Sequence, residues 1–495
     1  MLQFHNVSFT YPSAPSSLFT SLSLTFGKGW SGLVGPNGSG KTTLISLAAG
    51  ELQPDTGHVR HTGLLVCCPQ RSEKPGDNER CLFDPFSWDS DKERLCRLLG
   101  VEPEWLDRWE TLSQGEQKRF QVAAVLAQKP DILLVDEPTN HLDMVSAEMI
   151  FAAFRSFEGI GVLISHDRRL LDDLCQRIVF IDPPDVLQFS GNYSQALEQK
   201  NGDEQSRAQH RENLKRSAAR LESELRRRTE EADRTAGRIS KRHIGRHDSD
   251  ARGKIDLARL TGKDAVSVNL AASMGKRVAR LHEEIENTRF KKRYDLDFRL
   301  AGERSPRDCV ARLRRQALPM GPQRFLEVPE MTILPGDRIG IVGPNGSGKS
   351  TFLRLLVASI DFPPDRVLYI PQEISIERSG EIVREMLSLP TEQLGQVMSF
   401  VSCLGSIPAR LRETEVPSPG EVRKICLALG LLKKPWVIIM DEPTNHLDLP
   451  AIELLEGALA QIESALILVS HDAVFLSHLV DRRLCFSGNS MSFDS

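Results

Sequence analysis

Short apolar runs that stop abruptly on polar residues dominate this chain, and they come in pairs. "ILLV" runs into Asp136-Glu137, and "VIIM" runs into Asp441-Glu442. Four consecutive apolar residues without alternation predict strands buried on both faces of a parallel sheet, each delivering two carboxylates at its C-terminal end. "LLVCCPQ" and "VLYIPQ" stop in the same way on Gln70 and Gln372, and "GVLISHD" and "LILVSHD" stop at His166 and His471. "LVGPNGSGKTTLISL" reads as a strand, a glycine loop and a helix, so the fold class is α/β.

Residues 194–300 follow another period. Leu214, Ala218, Leu221 and Leu225 are spaced 4-3-4, and Val278, Leu281 and Ile285 are spaced 3-4, which predicts two amphipathic helices packed on each other. Between them "RISKRHIGRHDSDARGKIDLARLTGK" breaks the period with glycines and basic residues, as the tip of a helical hairpin would. No proline occurs between Pro184 and Pro306, although the chain holds 28.

The paired runs belong to an internal repeat. "GPNGSGKT" at Gly35 returns as "GPNGSGKS" at Gly343, 308 residues on. "DEPTNHLD", "SQGE" (as "SPGE") and "SHD" each return after 305 residues, and "PQ" after 302. Five landmarks in one order, with drifting offsets, mean a duplicated domain with small insertions in its loops. The expected division is residues 1–193 and 301–495 for the copies and 194–300 for the helical segment.

Composition narrows the class further. Apolar residues at 40% and charged residues at 26% of 495 are ordinary globular values. The longest apolar runs, such as "VAAVLA" and "SALILV", fall well short of the ~18 residues a membrane helix needs. The start, "MLQFHNVSFTYP", lacks the basic and apolar regions of a secretory signal, and nine cysteines without a CxxC pair suit a reducing, cytoplasmic setting. Residues 200–299 hold 26 Lys+Arg and 17 Asp+Glu, a net charge of +9 in a chain whose total is −4. Such a segment, with no aromatic between Tyr193 and Phe290, suits the phosphates of folded RNA better than stacking on single strands.

The glycine loops match G-x-x-x-x-G-K-[ST] in strand–loop–helix context, a cradle for nucleoside triphosphate. Gly35, Asn37, Gly38 and Gly40 shape the first loop, and Gly343, Asn345, Gly346 and Gly348 the second. Lys41 and Lys349 are placed to reach the β- and γ-phosphates, followed on the helix by Thr42, Thr43, Ser350 and Thr351. Thr42 with Asp136, and Ser350 with Asp441, are the expected Mg2+ ligands, while Glu137 and Glu442 can polarise an attacking water. Gln70, Gln372, His166 and His471, at strand ends of a parallel sheet, are candidates for contacts near the γ-phosphate and its metal.

"LSQGEQ" at Leu112 to Gln117 resembles the signature of the ATP-binding cassette superfamily. "DEPTNHLD" in both copies and "SGNYSQALEQK" before the charged segment resemble the ABC-F subfamily, soluble twin-cassette ATPases that act on the ribosome. That resemblance implies two P-loop cassettes in a head-to-tail sandwich with ATP at each interface, in a chain that acts as a monomer. Lys349 would then face Ser113 and Gly115, Lys41 would face Ser418 and Gly420, and Asp143 and Asp448 would sit at the seam. Tyr11 would stack on adenine, its offset counterpart being Pro319. The basic hairpin would meet ribosomal RNA and tRNA, in translation or in protection against antibiotics. Two features depart from the pattern: Pro417 and Pro419 flank Ser418, so an altered loop and slower turnover are expected at the Lys41 site. The intervals from phosphate loop to signature, 72 and 69 residues, are short for a transporter cassette. The rival readings are the nucleotide subunit of a transporter and a DNA-binding repair ATPase.

Overall fold

The computed structural model describes every residue except 13, 15, 71–73, 85–87, 141, 239–262, 288–301, 322–323, 407–416, 446 and 494–495. The chain forms two compact units, one of Met1–Ala196 with Tyr294–Ser495 and one of Leu197–Arg293.

Within the first unit the two copies build the same sheet. The first is ordered Leu65–Cys68, Ile132–Asp136, Ile160–Ile164, Gly29–Val34, Cys175–Asp182, Asp185–Ser190. The second runs Val367–Ile370, Val437–Asp441, Ala465–Val469, Arg338–Val342, Arg482–Ser487, Ser490–Phe493 before continuing into a hairpin. In each, five strands are parallel and the sixth is antiparallel. Every residue of the strands Ile132–Asp136, Ile160–Ile164, Val437–Asp441 and Ala465–Val469 is buried, as unbroken apolar runs require when helices cover both faces.

In the second copy Phe352, Leu353 and Leu356 of the helix Lys349–Ser359 pack under Ile339 and Ile341. Its other face packs helices Ile376–Leu387, Thr391–Cys403, Pro419–Leu432 and Leu449–Ala460. In the first copy Leu44 and Leu47 fill the equivalent space beneath the sheet. Because all five parallel strands end at one edge, that edge gathers both carboxylates, the glutamine, the histidine and the phosphate loop of each copy.

The second unit holds most of a continuous helix, Tyr193–Arg238, and a partner helix, Lys263–Asn287. At 46 residues the first helix is roughly 69 Å long. Ala218 is buried, while Leu214, Leu221, Leu225, Val278, Leu281 and Ile285 are half-buried, so the spacing identified the packed faces. His282 and Glu222 join the helices at 2.7 Å. The expected hairpin tip lies almost wholly outside the described residues. No helix among the described residues is long and apolar enough to cross a membrane.

Candidate nucleotide site

Each phosphate loop turns on glycines with positive φ: Gly38 (78°) and Gly40 (96°), then Gly346 (73°) and Gly348 (101°). A side chain at Gly35 would meet the Ile181 carbonyl oxygen at 2.1 Å, so the loop passes too close to the neighbouring strand for any Cβ. Lys41 Nζ donates to the carbonyls of Gly35 (2.7 Å) and Pro36 (3.0 Å), and Lys349 repeats this on Gly343 and Pro344 at the same distances. Both ammonium groups are thus held over an open cradle at a helix N-terminus, where N–H groups without intrahelical partners favour an anion. Burial pulls both lysines below their ordinary pKa, opposed by nearby carboxylates, so each site has a use for added negative charge.

The acidic strands reach the same place. Thr42 Oγ1 donates to Asp136 Oδ2 at 2.9 Å, and Ser350 Oγ to Asp441 Oδ2 at 2.8 Å. These hydroxyl–carboxylate pairs are the hard oxygen donors that Mg2+ takes. Glu137 (φ 45°) and Glu442 (φ 50°) adopt the left-handed region that costs a non-glycine residue free energy. Main-chain bonds to the Ile164 and Val469 carbonyls, both 2.9 Å, hold them there.

Burial, with the adjacent aspartate adding to it, pushes each glutamate up to about 8. No well-aligned hydrogen bond reaches Oε1 of either among the described residues, although an imidazole lies beside each. His166 Nε2 comes within 3.1 Å of Glu137 Oε1, and His471 Nε2 within 3.4 Å of Glu442 Oε1. Burial pushes these imidazoles down to about 3 and about 4, so both are neutral. Gln70 and Gln372 stand exposed at their strand ends, and neither side chain makes a hydrogen bond among the described residues.

The copies meet through their aspartates. Asp448 caps the helix Leu449–Ala460 through Oδ1, leaving Oδ2 to accept the main-chain N–H of Asn37 at 2.7 Å. Asp143 caps Met144–Arg155 in the same way and accepts the Asn345 N–H of the other copy. A cavity of about 860 Å³ opens along this seam. Ser113 and Gly115 of one copy line it, facing Lys349, Ser350 and Glu442 of the other. For Lys41 and Ser418 the cross-seam contact seen is Asn37 with Asp448.

Ser418 differs from expectation. It is extended at φ −60° and ψ 153°, nearly the same as Ser113 at −62° and 156°, and both close a capping box with a glutamate three residues on. Pro419 is compatible because it occupies the first helical position, where its missing N–H is no loss, and it favours an extended residue before it. Gly420 follows in the first turn of the helix. Pro417 is buried just before Ser418, and the expected alteration of the preceding loop, residues 407–416, lies outside the described residues.

The Tyr11 hydroxyl lies 2.9 Å from Thr43 Oγ1, its ring 40% exposed beside the first phosphate-loop helix. In the second copy Met320, not Pro319, lines the cavity, and a Cβ at Gly348 would lie 2.7 Å from its sulfur. The turn after Met320 closes on a Met320 N–H to Arg324 carbonyl bond. Sequence reading also missed a polar cluster at the seam. Arg168 Nη2 pairs with Glu456 at 2.7 Å and lies 3.6 Å from Asp472, and Tyr193 donates to Glu453 at 2.8 Å. The signal for it was faint: an arginine directly after "SHD" in the first copy only.

Comparison with known proteins follows this geometry. The family model described as ABC transporter matches residues 19–140 and 326–445. The "Ribosome protection protein VmlR" of Bacillus subtilis is 26% identical over 477 residues, covering 93% of this chain and 82% of that protein. The "Probable ATP-binding protein YheS" of Escherichia coli K12 is 27% identical, covering 91% and 73%. The solved structure named "RNase-L Inhibitor" has a TM-score of 0.63 at 19% identity, covering 99% of this chain and 90% of its own, a likeness of fold. With the family model matched in both copies and the octapeptide in each, the chain carries two ATP-binding cassette domains and is similar over most of its length to twin-cassette ATP-binding proteins of the ABC-F group.

Proposed function

We propose that the chain hydrolyses ATP between its two cassettes and that closure of the cassettes works on the ribosome. The observation that carries this reading is the composite cavity, in which the serine and glycine of one copy face the lysine and glutamate of the other. Neither copy alone supplies a complete site.

In each site the lysine and the helix N-terminus hold the phosphates, and Thr42 with Asp136, or Ser350 with Asp441, holds Mg2+. When bound, the metal supplies charge neutralisation across the β- and γ-phosphates. Glu137 and Glu442 orient and deprotonate water, a role suited to a carboxyl near neutrality. His166 and His471, neutral and within 3.4 Å of these carboxyls, hold them in place. Tyr11 offers the base of the first nucleotide a stacking face. ATP on both seams favours the closed arrangement and hydrolysis releases it, a shift set by differential affinity for the two states.

The ribosomal target rests on the relative named ribosome protection protein, which this chain matches over most of its length, and on the basic segment at net +9. Ribosomal RNA and tRNA phosphates are its expected contacts. The transporter reading draws on the family model's description and on a relative named as an ABC transporter ATP-binding protein, and the short intervals from phosphate loop to signature weigh against it.

A chain carrying Glu137→Gln and Glu442→Gln should bind ATP, fail to turn it over, and sediment with ribosomes in an ATP-dependent manner. Loss of ribosome binding in that variant, with ATP bound, sinks the ribosomal part of the reading. Binding to duplex DNA at the same salt concentration would favour the repair reading instead.

A further inference from the structure

Each cassette buries a cation in the helix that starts at its signature serine. Lys118 is 5% exposed and Arg423 7%, and they stand 305 residues apart at matching positions. Lys118 Nζ donates to the main-chain carbonyls of Pro69 at 2.6 Å, Gln70 at 3.3 Å and Asp136 at 3.5 Å. An ammonium carries three N–H donors, and three carbonyls at the ends of two neighbouring strands receive them. No carboxylate forms a salt bridge with it among the described residues; Glu79, Asp136 and Glu137 feel its charge from nearby, the Cys68 thiol touches it, and main-chain carbonyls take most of its N–H groups. A buried cation in such a setting does not let go of its acceptors without another to take their place.

The placement of this group is what gives it meaning. Ser113, five residues earlier and roughly 7.5 Å along the helix, lines the cavity with Lys349 and so belongs to the second nucleotide site. Asp136 and Glu137 stand with Lys41 and Thr42 in the first, and Gln70 follows the strand that pairs with the Asp136 strand. One side chain therefore ties the part of this cassette that serves one site to the part that serves the other.

In the second cassette the link is weaker. Arg423 Nη2 donates to the Asp441 carbonyl at 2.6 Å, but among the described residues Nη1 is buried without a partner and no bond reaches Pro371 or Gln372. The guanidinium grips the acidic strand and leaves the glutamine strand free.

We propose that Lys118 is a positioning residue that carries the state of the second nucleotide site into the first. Ser113, drawn onto a triphosphate held by Lys349, takes the helix Gln114–Leu126 with it. Lys118 moves as part of that helix, and the carbonyls of Pro69, Gln70 and Asp136 follow because parting from them would leave a buried ammonium short of acceptors. Gln70 and Glu137 are thereby set for the first site. The reverse path through Arg423 reaches Asp441 alone, so coupling runs mainly from second site to first.

This rests on the ATP-hydrolysis reading above, and the test separates the two. First-site turnover is isolated in two backgrounds: Glu442→Gln, with the second site filled but inactive, and Lys349→Ala, with the second site unable to hold triphosphate. Single-turnover cleavage of labelled ATP is measured in both, and nucleotide affinity of the first site alongside. With Lys118 present the two cleavage rates should differ by about 5-fold or more, the lower end of ordinary site–site coupling. Lys118→Met should bring the ratio to within about 2-fold with first-site affinity unchanged, and Lys118→Arg should restore part of it, since arginine in the second copy keeps one of the carbonyls. If Lys118→Met does not fold, Lys118→Gln is read for the same collapse. A ratio near one with Lys118 intact, or a ratio untouched by its removal, overturns the proposal. Absence of any cleavage in the unmutated chain overturns the ATPase reading instead.

Discussion

Replacing Glu442 by Gln, or Glu137 by Gln, should make the nucleotide-free chain more stable, and increasingly so as pH rises. The two carboxyls are 5% and 7% exposed, and burial raises them from 4.5 to about 8. A carboxyl that binds its proton more tightly in the folded than in the unfolded chain contributes stability that is complete below the unfolded pKa of 4.5. That contribution is lost as pH climbs through the folded value near 8. The loss approaches ~1.36 kcal/mol per pH unit inside the window and halves at the folded pKa itself, so from pH 6 to pH 8 each glutamate costs about 2 to 3 kcal/mol. Glutamine is neutral throughout and of nearly the same shape. Differential scanning calorimetry of wild type and each variant, without nucleotide, should show the gap in Tm widening by about 5 to 11 °C between these pH values, for a cooperative unit the size of one cassette. Asp167, raised by burial to about 6, titrates in both proteins and cancels from the comparison. A gap that stays constant from pH 6 to pH 8.5 would show that these carboxyls are ionised at ordinary cost, and the account of their burial would be wrong.

Three further outcomes follow from the seam and the phosphate loops. Lys41→Ala and Lys349→Ala should each lower the bound ATP from two per chain to one by calorimetric titration, and a stoichiometry of two in either variant would contradict the loop geometry. Asp448→Ala removes the acceptor of the Asn37 N–H, a bond to a charged group worth about 1.5–3 kcal/mol, so ATP-dependent compaction in solution scattering should need roughly ten or more times the nucleotide. Asp143→Ala should act alike through Asn345. Arg168→Ala leaves Glu456 and Asp472 facing without their cation. With side chains 9 to 16% exposed, the loss should lie below the range for fully buried pairs, at about 1–3 kcal/mol of thermal stability, and Arg168→Ala with Glu456→Ala should recover part of it.

Much of the cassette was legible because its signals are local. A glycine loop between strand and helix, and an apolar run ended by Asp-Glu, need only their own backbone conformation to be recognised. The spacing of Leu214, Ala218, Leu221 and Leu225 likewise fixed a helix face. Where reading went astray, a local rule was applied without its position. Pro419 looked disruptive beside Ser418, yet at the first helical position a proline favours the extended cap that Ser418 adopts. A fixed offset from Tyr11 falls on Pro319 and leaves no clear partner in the second copy, where Met320 lines the cavity beside Gly348.

By itself the sequence determined the duplicated α/β cassette, the chemistry carried at each strand end and the helical character of the basic segment, all of which depend on neighbours within a few positions. Tertiary structure alone decided which groups face each other. Asn37 and Asp448 lie 411 residues apart and Arg168 and Glu456 288, and the partners of Lys118 are carbonyls of two other strands. The raised glutamates and neutral histidines belong to the same category. Their state follows from how much water the packed cassettes exclude, and no periodicity along the chain encodes that.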